Sequence, residues 1–236
     1  MDERIPDPVR RRWVTAAASV LTIASAGCLP AWPGPAAAAT GEAPEQATLL
    51  VLGDSLSAEY GLVRGSGWVA LLQAKLAQTA PAWRIVNASI SGETTSGGAS
   101  RIDSLIERHD PALVIVELGG NDALRGLDLT ATRRNLDRIV AAAQGAGARV
   151  LLLGMQVPPN YGRAYTDAFE AVFSELATAR ELSFVPFFLA PIADKSSYFQ
   201  ADRIHPNAAA QPLMLDAVWP ALQPLLPAPS PAPAKR

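Results

Sequence analysis

Short apolar segments alternate with longer amphipathic segments between residues 48 and 226. The apolar segments are rich in Leu and β-branched residues and lack strict alternation, which is typical of strands buried on both faces of a parallel sheet. They fall at residues 48–52, 84–88, 113–118 and 149–155, with a weaker one at 183–185. Parallel strands need crossover connections, so the pattern predicts an α/β fold with helices on both faces of the sheet.

The longer segments have helical periodicity. Leu136, Ile139, Val140 and Ala143, for example, recur at the spacing of one helix face. The same pattern predicts helices over residues 68–78, 98–108, 130–144, 165–180 and 207–222. We expect Pro212 either to interrupt the last helix or to delay its start, because proline lacks the N–H that a helix interior needs.

Residues 1–39 have the order of an export signal. A basic stretch ends in Arg10-Arg11-Arg12, residues 13–29 are apolar and uncharged, and a Pro/Ala-rich linker follows as far as Ala39. A basic region, a short apolar region and a small-residue cleavage site are typical of a secretory signal peptide. We therefore predict cleavage near Ala39 and a periplasmic or secreted location for the mature chain.

Three alternatives to this cleavage remain open. The arginines followed by Trp13 loosely fit a twin-arginine signal. Cys28 follows Ser25-Ala26-Gly27, as in a bacterial lipoprotein box, although that box prefers Leu where Ser25 stands. The apolar run is also near the lower length limit for a membrane-spanning helix. If cleavage is near Ala39, the only cysteine is lost and the mature chain forms no disulfide.

The remaining sequence divides into a domain and a tail. Residues 45–226 are long enough for one domain with a sizeable core. Residues 227–236 repeat Pro and Ala and predict an extended, disordered tail. The formal net charge of −2 and the lack of basic patches with interleaved aromatic residues argue against nucleic-acid binding.

Three polar clusters follow predicted strands. Gly53-Asp54-Ser55 comes after the first strand, residues 87–92 after the second and residues 119–122 after the third. Ligands of open parallel sheets bind at the carboxyl ends of the strands, so these clusters mark the expected site. Ser55 is the candidate nucleophile, with an ordinary strand-ending turn as the alternative. We expect Asp54 to brace this turn rather than to react.

The chain has two histidines, and only one suits the base that a serine nucleophile requires. His109 ends a predicted helix before Pro111 and is expected to be a surface residue. His205 follows Asp202 by three residues, so the carboxylate can fold back to Nδ1–H and direct Nε2 outward. The sequence thus offers Ser55, Asp202 and His205 as a catalytic triad; the alternative is a capping Asp beside an exposed His.

Acyl transfer also needs hydrogen-bond donors for the oxyanion. Candidates are the N–H of Ser55, the N–H of Gly92 in a Ser-Gly turn and the side-chain amide of Asn121 beside two glycines. Each of these residues alone has the alternative explanation of an ordinary turn residue.

The blocks taken together resemble the SGNH (GDSL) hydrolase superfamily, and within it the bacterial multifunctional acyl-CoA thioesterase I, lysophospholipase L1 and arylesterase group. The matching stretches are Gly53-Asp54-Ser55-Leu56, the block around Gly92, Gly119-Gly120-Asn121-Asp122 and Asp202-x-x-His205. The resemblance covers nearly all of residues 48–226. It implies a flavodoxin-like three-layer α/β/α fold around a five-stranded parallel sheet. It also implies hydrolysis of esters or thioesters through an acyl-enzyme, without a cofactor, by a monomer.

One departure concerns Arg203. Relatives commonly have Gly at this position, and Gly adopts a positive φ without strain, whereas Arg does not. We therefore expect the turn before His205 to differ slightly, with consequences for substrate preference rather than for the triad.

The family's acyl-binding loops correspond here to the loops after the third and fourth strands. Leu124, Val157, Pro158 and Tyr161 are the candidate substrate contacts, and core packing beneath a loop is the alternative for each. The expected substrate is a small acyl ester or thioester, with lysophospholipid as a candidate. Two other functions remain open: a cell-wall or polysaccharide O-deacetylase, and a non-catalytic binding scaffold. Two isolated histidines and no mature cysteine predict no metal site.

Overall fold

A computed structural model describes residues 46–226. The predicted signal peptide and linker (residues 1–39) and the predicted tail (residues 227–236) lie outside the described residues. Within residues 46–226 no helix has the length and apolar character needed to cross a membrane. The strands are β1 (Ala47–Gly53), β2 (Trp83–Asn87), β3 (Pro111–Glu117), β4 (Arg149–Leu153) and β5 (Ser183–Val185). The α-helices are α1 (Trp68–Thr79), α2 (Thr95–His109), α3 (Gly120–Leu124), α4 (Leu129–Gly145), α5 (Arg163–Ala179) and α6 (Gln211–Leu222).

The five strands form one parallel sheet in the order β2-β1-β3-β4-β5. This is the flavodoxin-like strand order, and it confirms the predicted α/β/α class. Helix α1 packs against α6, while α4 packs against both α2 and α5. The chain order reverses direction between β1 and β3. Open parallel sheets bind their ligands at such a switch point, at the carboxyl ends of the strands.

The core explains why the strands lack alternation. Leu113, Val114, Ile115 and Val116 of β3 are all fully buried, because helices cover both faces of the central strands. The helices contribute side chains at their predicted periodic positions, including Leu136 of α4. Burial on both faces fixes the strands rigidly and therefore also the loops that begin at their ends.

The elements differ from the sequence pattern at several places, and three of these differences have a clear local cause. Helix α2 begins at Thr95, three residues early, because the Thr94 side chain accepts a hydrogen bond from the Gly97 N–H and caps it. Helix α6 begins at Gln211, so Pro212 lies in its first turn and delays the start rather than interrupting the helix. The short helix α3 was not predicted, because Gly-Gly-Asn-Asp has the composition of a turn.

Leu151→Ala tests this account of the core. Leu151 in β4 is fully buried, and we expect the substitution to lower the free energy of unfolding by about 2–5 kcal/mol through lost burial and a residual cavity. Leu127→Ala removes the same atoms from a 42% exposed side chain and should change it by less than about 0.5 kcal/mol. Denaturant unfolding measures both variants, and equal losses would contradict the assigned burial.

Candidate active site

Ser55 lies in a tight turn that starts directly at the end of β1. The Asp54 carbonyl accepts hydrogen bonds from the Ala58 N–H at 2.9 Å and from the Ser57 N–H at 3.3 Å, which folds the chain back at this point. Ser55 is 8% exposed, so the residue is largely withdrawn from solvent. A side chain on such a turn inherits the rigidity of the buried strand.

The structure brings Ser55, His205 and Asp202 into one hydrogen-bonded chain. Ser55 Oγ lies 3.0 Å from His205 Nε2, and His205 Nδ1 lies 2.7 Å from Asp202 Oδ2. An ionised carboxylate only accepts hydrogen bonds, so Nδ1 carries the proton and Nε2 is free to accept from the serine. This is the arrangement in which an imidazole can remove a hydroxyl proton.

Asp202 is held in its ionised form. Its Oδ1 accepts the backbone N–H groups of His205 at 3.0 Å and Ile204 at 2.9 Å, while Oδ2 faces the imidazole. These hydrogen bonds lower the pKa of Asp202 from 3.8 to about 2, with the His205 N–H as the largest cause. The three-residue spacing read from the sequence thus forms a closed Asx-type turn.

Two residues without a sequence motif hold His205 in place. The Gln200 side-chain amide donates to the carbonyls of Tyr60 at 2.8 Å and Pro206 at 3.1 Å, joining the loop after β1 to the His205 loop. The Gln200 N–H also donates to the His205 carbonyl at 2.8 Å. The Tyr60 ring lies on the imidazole, with ring centroids 4.2 Å apart. Sequence reasoning missed both residues, because these contacts join segments 140 positions apart in the chain.

Arg203 adopts the left-handed conformation that Gly favours, with φ of 59°. The turn therefore takes a positive φ, which glycine adopts without strain and arginine does not. This conformation costs an ordinary L-residue about 1–2 kcal/mol. The paired hydrogen bonds to Asp202 Oδ1 from the next two residues hold the strained turn closed.

The candidate oxyanion donors lie on three different segments: the turn after β1, the loop after β2 and helix α3. Among residues 46–226, the N–H groups of Ser55 and Gly92 have no hydrogen-bond acceptor. Gly92 has φ of 78°, and its loop is pinned to the end of β1 by the Ile90 N–H, which donates to the Gly53 carbonyl at 3.1 Å. On the other side, the Arg125 guanidinium donates to the Gly92 carbonyl at 2.9 Å.

Asp54 braces the turn that carries Ser55, as expected from the sequence, and it also holds Asn121. Its Oδ1 accepts the Leu56 N–H at 3.0 Å, and its Oδ2 accepts Asn121 Nδ2 at 2.9 Å. A primary amide has two N–H groups, so this bond fixes the orientation of Asn121 and leaves the second N–H available.

A second buried carboxylate, Glu117 at the end of β3, lies beneath the nucleophile turn. Its Oε2 accepts Ser57 Oγ at 2.7 Å and the Asp54 N–H at 3.3 Å. Burial raises the pKa of Glu117 well above 4.5 and that of Asp54 from 3.8 to about 6. Within the described residues no three His, Cys, Asp or Glu side chains are grouped to hold a metal ion. Hydrogen bonds hold both carboxyl groups in place.

Asp122, the last residue of the polar cluster after β3, joins helices rather than facing the nucleophile. It is buried and accepts the Thr95 N–H at 2.9 Å, the Thr95 hydroxyl and the Thr132 hydroxyl. These hydrogen bonds tie α3 to α2 and α4, and so fix the helix that carries Asn121.

The candidate substrate contacts divide into two groups. Leu124, Pro158 and Tyr161 are exposed. Val157 is 6% exposed and packs in the core, so for this residue the structure favours core packing over substrate contact. Within residues 46–226, the exposed large apolar side chains all lie in the segments that follow the strands at the carboxyl edge of the sheet. We call this set the apolar rim: Tyr60, Val63, Ile90, Leu124, Leu127, Tyr161 and Ile204.

The class of protein follows from this fold and site together with a family match. Residues 51–212 match the GDSL-like Lipase/Acylhydrolase family. The chain belongs to this family and is a hydrolase of carboxylic esters.

Individual relatives agree with this class. Esterase TesA of Pseudomonas aeruginosa is 50% identical over 179 residues, which are 76% of this chain and 89% of that protein. The thioesterase 1/protease 1/lysophospholipase L1 of Escherichia coli is 42% identical over 179 residues, covering 76% of this chain and 85% of that protein. A crystal structure of TesA aligns with a TM-score of 0.74 at 50% identity, covering 76% of this chain and 99% of that chain.

Arg203→Gly tests the strain in the turn before His205. Glycine relieves the left-handed conformation but adds freedom to the unfolded chain, so we expect the free energy of unfolding to rise by about 0.5–1 kcal/mol. Arg134→Gly is the control. It makes the same replacement inside helix α4, where glycine should lower the free energy of unfolding by about 1 kcal/mol. Denaturant unfolding gives both values, and a loss in both variants would contradict strain at Arg203.

The buried carboxyl groups predict an unusual dependence of stability on pH. Their pKa values are higher in the folded state than in the unfolded state, so folding takes up protons. The free energy of unfolding therefore falls as the pH rises from about 4 to 6, where Asp54 loses its proton. It falls again when Glu117 loses its proton. We expect wild type to be less stable at pH 8 than at pH 5, and Glu117→Gln to reduce that difference. Glu107→Gln on the exposed face of α2 should leave it unchanged. Denaturant unfolding at pH 5 and pH 8 measures this difference in stability for each variant. If Glu117→Gln shows the same difference as wild type, the raised pKa of Glu117 is contradicted.

Proposed function

We propose that this protein is an exported serine esterase and thioesterase that works through Ser55, His205 and Asp202 and an acyl-enzyme intermediate. The observation that carries the proposal is the hydrogen-bonded chain Ser55–His205–Asp202, at 3.0 and 2.7 Å, beside N–H groups that lack an acceptor within residues 46–226. Nucleophile, base and orienting carboxylate are the parts that acyl transfer to serine requires.

In the first half-reaction, His205 Nε2 takes the Ser55 proton while Ser55 Oγ attacks the acyl carbonyl carbon. Asp202 stabilises the imidazolium that forms. The tetrahedral intermediate then collapses, and His205 gives its proton to the leaving oxygen or sulfur. In the second half-reaction, water loses a proton to His205, attacks the acyl-enzyme and releases the acid, with Ser55 regaining its proton.

The oxyanion of each tetrahedral intermediate is assigned three donors: the Ser55 N–H, the Gly92 N–H and the second N–H of Asn121. The ionised form of Asp54 supports this role, because it accepts from Asn121 Nδ2 at 2.9 Å and so fixes the amide before substrate binds. Donors that are oriented in advance stabilise developing charge without reorganisation.

The apolar rim favours substrates that carry an acyl chain over substrates that carry an acetyl group. Leu124, Pro158 and Tyr161 are the proposed acyl contacts, with Val157 packed behind them. Similarity to relatives named esterase, thioesterase and lysophospholipase supports small acyl esters and thioesters, with lysophospholipid as a candidate. No cofactor takes part in this scheme.

The signal-like residues 1–39 support export to the periplasm or beyond, with lipidation at Cys28 as the alternative. We further propose that the mature protein acts as a monomer. All residues assigned to the reaction belong to one chain, and none needs a second copy.

A chain-length series of p-nitrophenyl esters, from acetyl to palmitoyl, tests the proposal on the protein recovered after expression of the full sequence. We expect activity on medium or long acyl chains, and loss by about a millionfold in Ser55→Ala. Ser104→Ala removes an exposed hydroxyl from α2 and should retain wild-type activity. Far-UV and near-UV circular dichroism establish that each variant is folded.

Other outcomes would replace the proposal. Hydrolysis confined to the acetyl ester would favour the O-deacetylase. A folded wild type without activity on any ester would favour a binding scaffold. Full activity in Ser55→Ala would exclude Ser55 as the nucleophile.

A further inference from the structure

A closed ring of three hydrogen bonds joins the segments that carry the candidate oxyanion donors. One bond ties the loop after β2 to the end of β1, one ties α3 to the end of β1, and one ties α3 to the loop after β2. We call this set the donor ring: the Ile90 N–H to the Gly53 carbonyl at 3.1 Å, Asn121 Nδ2 to Asp54 Oδ2 at 2.9 Å, and Arg125 Nη2 to the Gly92 carbonyl at 2.9 Å. Each donor segment is therefore bonded to the other two.

The Gly92 N–H belongs to a tight turn. The Glu93 N–H donates to the Ile90 carbonyl at 3.0 Å. Of the two central residues only Gly92 has a positive φ, 78°, which defines a type II turn. The N–H between the two central residues takes no part in the hydrogen bond that closes such a turn. Its direction is set by the peptide units on either side.

Arg125 fixes one of these neighbouring peptide units. The unit between Gly92 and Glu93 donates through its N–H to Ile90 and accepts through its carbonyl from Arg125, so it is held at both ends. Within residues 46–226 the Gly92 carbonyl accepts no other hydrogen bond. Without Arg125, only the turn's own hydrogen bond would hold this unit.

The backbone that carries Arg125 is well anchored. Arg125 follows Asn121 by about one helical turn, and its N–H donates to the Asn121 carbonyl at 3.2 Å. The Leu127 N–H donates to the Asp122 carbonyl at 2.9 Å, and the buried Asp122 side chain ties α3 to α2 and α4. The guanidinium therefore reaches Gly92 from a fixed point in the fold.

We propose that Arg125 is a positioning residue that closes the donor ring and so directs the Gly92 N–H toward the oxyanion. This inference rests on the proposed function, in which Gly92 is an oxyanion donor. Arg125 acts through Gly92 and not on the substrate. Its one exposed hydrogen bond contributes little to folding. A donor that is oriented in advance nevertheless stabilises developing charge without reorganisation, so the loss of Arg125 should lower catalysis rather than stability.

Hydrolysis of p-nitrophenyl esters, from acetyl to palmitoyl, tests this role on the protein recovered after expression of the full sequence. Arg125→Ala opens the donor ring, whereas Arg125→Lys keeps a cationic donor at the same position. Arg134→Ala is the matched control, because it removes another exposed arginine from α4.

We expect Arg125→Ala to lower kcat/KM by about 10- to 100-fold, because losing a whole oxyanion donor costs about 100- to 1000-fold and misdirecting one costs less. The factor should be the same for acetyl and long-chain esters, since the reacting carbonyl is common to all of them. Arg125→Lys should recover most of the loss, because an ammonium group can also donate to a single carbonyl. Arg134→Ala should match wild type, and the free energy of unfolding should change little in every variant.

Inhibitor binding separates positioning from a general loss of binding. An alkyl trifluoromethyl ketone forms a tetrahedral adduct with a serine: Oγ bonds to the carbonyl carbon, the serine proton moves to the histidine, and the carbonyl oxygen becomes an oxyanion. A primary alcohol with the same alkyl chain forms no such adduct. In Arg125→Ala the affinity for the ketone should fall by the same factor as kcat/KM, while the affinity for the alcohol stays unchanged.

Wild-type activity in Arg125→Ala would overturn the inference. So would a loss that grows with acyl-chain length, or equal weakening of the ketone and the alcohol, since either result indicates contact with the acyl chain. If Arg125→Ala does not fold, Arg125→Gln, whose side chain is shorter and uncharged, replaces it in the same comparisons. The proposed function fails separately, through a folded wild type without ester hydrolysis or through full activity in Ser55→Ala.

Discussion

The hydrogen bond between Ser55 Oγ and His205 Nε2 is the constraint on which the site depends. It joins residues 150 positions apart across 3.0 Å. Ser55 is placed by the end of a strand buried on both faces, and His205 by a loop that no strand supports. The Gln200 side chain compensates for this difference, since it fastens the His205 loop to the carbonyl of Tyr60, five residues after the nucleophile. Fold and site are therefore linked through contacts between these two loops, which also include the Tyr60 ring on the imidazole.

The buried polar side chains beneath Ser55 cost folding free energy, whereas the apolar side chains of the surrounding core stabilise the fold. Asp54 and Glu117 are removed from water at a cost that raises both pKa values, and their hydrogen bonds to Ser57, Leu56 and Asn121 offset part of that cost. The left-handed Arg203 adds backbone strain at the other side of the site. Stability is thus reduced where the geometry must be exact to within hydrogen-bond distance, as is common at functional sites.

The sequence was sufficient for the strands, most of the helices and the grouping of Ser55, His205 and Asp202, because these depend on local periodicity and on short blocks with fixed spacing. Asp202 and His205 are close in the chain, so their contact could be inferred directly. Gln200, Tyr60 and Glu117 could not be found in this way, since their roles arise from contacts between distant segments and their residue types carry no motif. Val157 shows a related limit: an apolar loop residue has the same sequence signature whether it contacts substrate or packs in the core.

Covalent labelling with a p-nitrophenyl alkylphosphonate is the most direct test of the central claim that His205 activates Ser55. Such a reagent traps a serine only when a neighbouring base removes its proton and oxyanion donors stabilise the developing charge. We expect release of one equivalent of p-nitrophenol, a phosphonylated Ser55 peptide by mass spectrometry, and much slower labelling in folded His205→Ala. Labelling at another residue, or equally fast labelling without His205, would contradict it.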